Sequence, residues 1–255
     1  MLKNLLKGLQ MNSINQKVAI VTGSSRGIGA AVAQRLGAEG FSVIVNYVGG
    51  EAAAQGVVQQ IVQHGGKALA VQADVSDPQA VRALFDAAET SYGGIDVLVN
   101  TAGIMQPRSI ADTDDETFDK HIAINLKGSF NTMREAVKRL RSGGRIINFS
   151  TSQVGLRHPT YGVYAGTKAA IEVMSSVLAK ELRGRNITVN AVAPGPTATE
   201  LFLKNPQEVI DRLTKMPPLE RLGQPEDMVG MVSFLAQGDG SWVNGQVLRI
   251  NGGII

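Results

Sequence analysis

A tyrosine and a lysine four residues apart, in Tyr164-Ala165-Gly166-Thr167-Lys168, stand at the start of a helical pattern and project from one face of it. Ser152 lies twelve residues upstream of the tyrosine, just past a β-branched run that ends at Phe149. A free phenol titrates near pH 10, so a tyrosine that acts as a base near neutrality must become more acidic by about three pH units, roughly 4 kcal/mol. An ammonium one helical turn away supplies about one to three of them. Such a pair can therefore move a proton. Taken alone, the spacing is common on half-exposed helix faces, and its weight depends on what the chain places around it. Tyr161 has no lysine at the same spacing and is assigned to the pocket wall.

The elements that must position these residues follow from periodicity. Short β-branched runs alternate with longer helical patterns, as in an α/β chain whose parallel sheet is covered by helices on both faces. Strands are predicted over Lys17–Thr22, Ser42–Asn46, Lys67–Gln72, Ile95–Asn100, Arg145–Phe149, Ile187–Val192 and Gln246–Ile250. Helical stretches begin near Gly27, Glu51, Asp77, Thr117, Tyr161 and Pro225, and Asp77-Pro78 and Gln224-Pro225 read as capped helix starts. No repeat or linker divides the chain, so residues 15–255 are read as a single domain, with residues 1–14 as an N-terminal extension. Within 194–218, five prolines punctuate a segment read as a flap over the site, with a short helix near Pro206–Lys215.

Composition narrows the classes. There is no cysteine among the 255 residues, which removes disulfides, thiol nucleophiles and Cys-ligated zinc and makes the cytoplasm the default location. The net charge of +3 is spread over 25 basic and 22 acidic residues without a basic block, so a pI of 9.2 says little about nucleic acid. Lys3 and Lys7 break the only N-terminal apolar pattern, and no membrane segment is read there.

The strand Val18–Val21 runs into Thr22-Gly23-Ser24-Ser25-Arg26-Gly27-Ile28-Gly29 and then an alanine-rich helix. Strand, glycine turn and helix start come in the order that a dinucleotide pyrophosphate requires, because the backbone must come close and the helix N-terminus offers N–H groups and positive dipole. Gly23 is read as the tight turn, Gly27 as the close approach and Gly29 as the helix–sheet contact. Roughly 20 residues on, an NAD site carries an acid for the ribose hydroxyls. Here the second strand ends at Asn46 and Tyr47. Without that acid the extra phosphate of NADP meets no repulsion, and Arg26, Ser25 and Asn46 can hold it. NADP(H) is preferred, with NAD(H) left open.

With these residues in place, the chain resembles the short-chain dehydrogenase/reductase family, in its branch of about 250 residues with the 3-oxoacyl carrier-protein reductases and glucose dehydrogenases. Thr22–Gly29 is similar to its coenzyme loop, Asp74-Val75 to its adenine contact and Asn100-Thr101-Ala102-Gly103 to its Asn-Asn-Ala-Gly turn, with Thr101 as the departure. Asn125, Ser152, Tyr164 and Lys168 match the catalytic four, and Pro194-Gly195 with Thr197 matches the segment that holds the nicotinamide amide. The resemblance implies a Rossmann-like, doubly wound, seven-stranded parallel sheet and hydride transfer without a metal. It implies that Ser152 polarises the substrate oxygen, Tyr164 exchanges its proton, Lys168 binds ribose and depresses the tyrosine pKa, and Asn125 holds a water. It also implies a homotetramer built through the two long helices and the last strand.

Gln153, Tyr161, Leu201, Phe202, Leu203 and Met105 or Gln106 are read as a mostly apolar wall, suited to a ketone, aldehyde or secondary alcohol with an apolar part. His158 is read as a solvated loop residue. A 3-oxoacyl thioester reductase, which would want basic residues such as Arg108, Arg157 or Lys204 at the mouth, and a sugar dehydrogenase are the enzymatic alternatives. A non-catalytic NADP-binding regulator and a nucleic-acid-binding protein are the remote ones.

Overall fold

A computed structural model describes residues 16–200 and 202–255; the extension read over residues 1–14 and the wall residue Leu201 lie outside them. Strands β1 (Val18–Thr22), β2 (Ser42–Tyr47), β3 (Lys67–Gln72), β4 (Ile95–Asn100), β5 (Leu140–Phe149), β6 (Thr188–Pro194) and β7 (Val247–Ile250) form one sheet. All neighbours are parallel, in the order β3-β2-β1-β4-β5-β6-β7. The winding reverses between β1 and β4, so the loops leaving their C-terminal ends part there and open a crevice.

The helices are α1 (Gly27–Ala38), α2 (Glu51–Gln63), α3 (Pro78–Tyr92), α4 (Asp115–His121), α5 (Gly128–Arg139), α6 (Gln153–Leu156), α7 (Gly162–Glu181), α8 (Gln207–Lys215) and α9 (Pro225–Ala236), with a π-helical turn at Ile122–Lys127 between α4 and α5. Ala19, Val21, Val43 and Val45 point to the face covered by α1, α2 and α9. Their neighbours Ile20 and Ile44 point to the face covered by α3, α5 and α7. The inner strands are apolar on both sides because both faces are buried, which is why they read as continuous β-branched runs, whereas the edge strands β3 and β7 alternate between exposed and partly buried residues.

Boundaries differ where local chemistry overrides pattern. β5 begins at Leu140 rather than Arg145: Leu140 pairs with Ile95, and the ladder resumes at Arg145 opposite Val97 after an irregularity. β6 extends to Pro194, a strand end where a missing N–H is tolerated. α4 starts two residues before the expected Thr117 because Asp114 accepts the Thr117 N–H at 2.7 Å. The segment after β6 holds a 3-10 turn at Phe202–Lys204 and then α8, within the span read as a short helix.

Candidate active site

The glycine turn sits at the reversal of the sheet and is braced from three sides. Gly23 takes a left-handed φ of 61°, and a Cβ there would meet Ala102 Cα at 2.8 Å. At Gly29 a Cβ would lie 2.6 Å from Thr101 Oγ1 and 2.7 Å from Gly23 O, so the tightest approach is here, whereas Gly27 faces only Thr199, at 3.6 Å. The Thr101 hydroxyl, where the family has a second asparagine, donates to Thr22 O and supports the turn. Arg26 precedes α1 without a side-chain cap, and no acid occupies the first turn. The opening N–H groups are thus free to meet an anion, and the cradle fits a pyrophosphate.

Two residues assigned to the coenzyme, Asn46, which lines the cleft, and Asn100, also make structural hydrogen bonds. Asn46 is 1% exposed, and its Oδ1 accepts the Gly23 N–H at 3.1 Å while its Nδ2 donates to Val71 O at 3.3 Å and Ala73 O at 3.0 Å. Both ends of the amide are consumed by backbone, so its side chain braces the turn rather than reaching for a phosphate. A carboxylate in its place would face two carbonyl oxygens, which gives the missing acid a structural reason. Asn100 points beneath the cleft, donating to Asn148 Oδ1 at 2.8 Å, and Asn148 passes the chain on to Ser175 Oγ at 2.8 Å. Ser25, Arg26, Tyr47, Asp74, Val75, Ala102 and Gly103 all line the cleft, as do Ile28, Pro194, Gly195 and Thr197.

The cleft, about 560 Å³, continues from the glycine turn to Ser152, Tyr164 and Lys168. Ser152 leads into α6 and is 2% exposed; its Oγ accepts from Asn251 Nδ2 at 3.0 Å and donates to Ala193 O at 3.4 Å. The second bond is long, so the hydroxyl hydrogen is readily redirected to a substrate oxygen. Lys168, 5% exposed, donates from Nζ to Phe149 O at 2.8 Å. Asn125 sits in the π-helical turn with its Oδ1 accepting from Ile104 N at 2.8 Å and its Nδ2 donating to Ile104 O at 2.9 Å, which clamps the strand exit after Gly103. A Cβ on Gly103 would lie 3.2 Å from Asn125 Oδ1 and 3.5 Å from Lys168 Nζ, so these two side chains converge there.

Burial dominates the electrostatics of the ligand-free site. Dense packing beneath the half-buried Tyr164 ring pushes its pKa up to about 12, although a hydrogen bond with Thr151 pulls the other way; nearby Tyr161 adds to the rise. The two rings meet edge-on at 6.4 Å. Burial pulls Lys168 down to about 8. Without coenzyme, burial is thus the largest influence on this phenol. At neutral pH the phenol is protonated, the form that donates.

Of the expected wall, Met105, Gln106, Gln153, Tyr161 and Phe202 face the cleft, while Leu203 turns outward with 52% exposure. Pattern reading missed Leu156, Leu213 and Ile254 in the wall and Asn251 behind Ser152. Asn251 lies 99 residues from Ser152, and no local spacing signals it.

A family model described as enoyl-(acyl carrier protein) reductase matches residues 23–255. An NADPH-dependent aldehyde reductase-like protein, chloroplastic, of Arabidopsis thaliana is 44% identical over 94% of each chain. Elsinochrome reductase 1 of Elsinoe fawcettii is 42% identical over 97% of each. Among solved structures, a short chain dehydrogenase from Burkholderia cenocepacia in complex with NADP superposes with a TM-score of 0.90 at 35% identity, covering 95% of this chain and 99% of that one.

Asn46→Asp is expected to destabilise the protein at neutral pH by about 2–4 kcal/mol, read as a fall in Tm; an unchanged Tm would show that the amide is no brace. In the coenzyme-free protein, tyrosinate absorbance of wild type minus Tyr164→Phe should stay flat to about pH 10 and rise toward a midpoint of about 12. A midpoint near neutrality would mean that the chain alone acidifies this phenol.

Proposed function

The chain belongs to the short-chain dehydrogenase/reductase family and is an NADP(H)-dependent oxidoreductase of carbonyl and CH–OH carbons; from that premise we propose that it works as a reductase of ketones or aldehydes with an apolar part, with Tyr164 as the proton donor. The observation that carries the reading is a single cleft lined by both the glycine turn and Ser152, Tyr164 and Lys168. When bound, NADPH supplies a hydride to the carbonyl carbon. Ser152 donates to the carbonyl oxygen and Tyr164 gives that oxygen its proton. Lys168 binds the nicotinamide ribose, and Asn125 holds the wall from which a water reaches the lysine.

Arg26 supplies the cation for the extra phosphate of NADP. It pairs with Glu200 at 3.7 Å, but both side chains are more than half exposed, so the pair is weak and readily exchanged for a phosphate. Relatives named for aldehyde and elsinochrome reduction support a carbonyl substrate. The thioester alternative is the second reading: Arg108 is paired with Asp114 at 3.6 Å and Lys204 with Glu200 at 3.3 Å, but both pairs are exposed and weak, and Arg157 is exposed with no ion pair among the described residues. A sugar would find few polar partners in this wall.

The assembly is a homotetramer in the cytoplasm. Exposed Phe130, Val173 and Val177 on α5 and α7 provide one apolar surface, and Phe234, Trp242 and Val247 beside β7 provide a second. Among the described residues, no helix is long and apolar enough to cross a membrane.

Tyr164→Phe is expected to lower turnover at least about a hundredfold with NADPH binding nearly intact; near-normal turnover would remove Tyr164 from its role. Arg26→Ala should raise KM for NADPH about tenfold or more and leave KM for NADH within about threefold, and equal effects on the two would refute the phosphate contact.

A further inference from the structure

The stretch that leaves β4 for the cleft wall hangs on three contacts. From Thr101 to Ser109 the chain takes no regular secondary structure, and Ile104, Met105 and Gln106 line the cleft. Alternate main-chain N–H groups in it are anchored: Ile104 N donates to Asn125 Oδ1 at 2.8 Å, Gln106 N to His121 Nε2 at 3.3 Å and Arg108 N to Thr160 O at 2.8 Å. No ladder of a neighbouring strand holds this stretch, so its course depends on those partners. The middle partner is a titratable side chain that the chemistry of the site does not use.

His121 is the last residue of α4 and is fully buried. Its Nδ1 lies 2.8 Å from Thr117 O, which only accepts, so Nδ1 carries the hydrogen. Nε2 is left with a lone pair, and the Gln106 N–H fills it. An aliphatic side chain would be buried here at lower cost, but it would offer Gln106 nothing. Asn125 meanwhile holds Ile104 at both its N–H and its carbonyl, at 2.8 and 2.9 Å. The part of the stretch beside Gly103 and Lys168 is therefore fixed independently of residue 106, and the imidazole governs only the part that follows.

We infer that His121 is a positioning residue whose neutral imidazole, by accepting the Gln106 N–H, holds the Met105–Gln106 section of the wall against the carbonyl substrate. This rests on the carbonyl-reductase reading above. The division of labour is specific: His121 sets substrate affinity, while coenzyme binding and the hydride and proton steps stay with the residues that Asn125 and α7 hold in place.

The experiment follows hexanal reduction by NADPH in wild type, His121→Leu and His121→Gln. A glutamine oxygen reaches the place of Nε2, so His121→Gln restores an acceptor for Gln106 but gives up the Thr117 contact. A fall in Tm shared by both variants thus reports the structural part alone. His121→Leu is expected to raise KM for hexanal about tenfold with kcat within about threefold and KM for NADPH within about twofold, and His121→Gln to keep all three within about threefold of wild type. Amide hydrogen exchange reads the hold directly: the Gln106 amide of wild type should be protected at least about tenfold over a free chain, and His121→Leu should remove that protection while Ile104 and Arg108 keep theirs. An unprotected Gln106 amide in wild type overturns the inference with no variant needed. The same KM for hexanal in wild type and His121→Leu, or an equal rise in both variants, also overturns it and leaves the carbonyl-reductase reading standing. Reduction of neither hexanal nor any other aldehyde or ketone by wild type overturns both.

Discussion

A buried ammonium held against one backbone carbonyl organises the catalytic side of this molecule. Lys168 gives up most of its hydration, and the Phe149 carbonyl at 2.8 Å is the partner that makes this tolerable. The contact ties α7 to the end of β5, and Ser150 Oγ donating to Glu172 Oε1 at 2.5 Å ties the same helix to the residues that follow. Helix and strand exit are thereby pinned one turn apart, and the distance between the Tyr164 ring and the Ser152 hydroxyl is inherited from them. A reaction that needs both groups on one oxygen depends on two elements staying in register, and the lysine enforces that register as well as carrying charge.

The same economy appears in the amides. Asn46, Asn125, Asn148 and Asn251 each join backbone or side-chain groups from different elements, and their burial makes each join costly to break. Asn46 connects β1, β2 and the strand beyond. Asn251 brings the end of β7 to the catalytic serine. The polar residues around the cleft are thus mostly committed to one another.

The glycine turn, the serine and the Tyr-x-x-x-Lys pair were legible because each is a local spacing, and the alternation of elements that orders them is local too. The seven strands were legible for the same reason, apart from the start of β5, where Arg141, Ser142, Gly143 and Gly144 mask a pairing decided by β4. What stayed hidden depends on contacts between distant segments. Asn46 looked like a ligand because its partners are main-chain groups that carry no residue signature, and Asn251 and Ile254 reach the site only through the last strand. The burial that raises the Tyr164 pKa was hidden for a different reason: spacing reports a nearby cation, whereas burial is a property of the folded whole.

Trp242 is the chain's single tryptophan, and it stands 97% exposed beside the free edge of β7. All indole emission therefore originates at one solvated point outside the cleft lining. Any neighbour that covers this edge replaces water with protein around that ring and moves the emission to the blue. Association through this edge would thus be readable optically, by dilution and without a label.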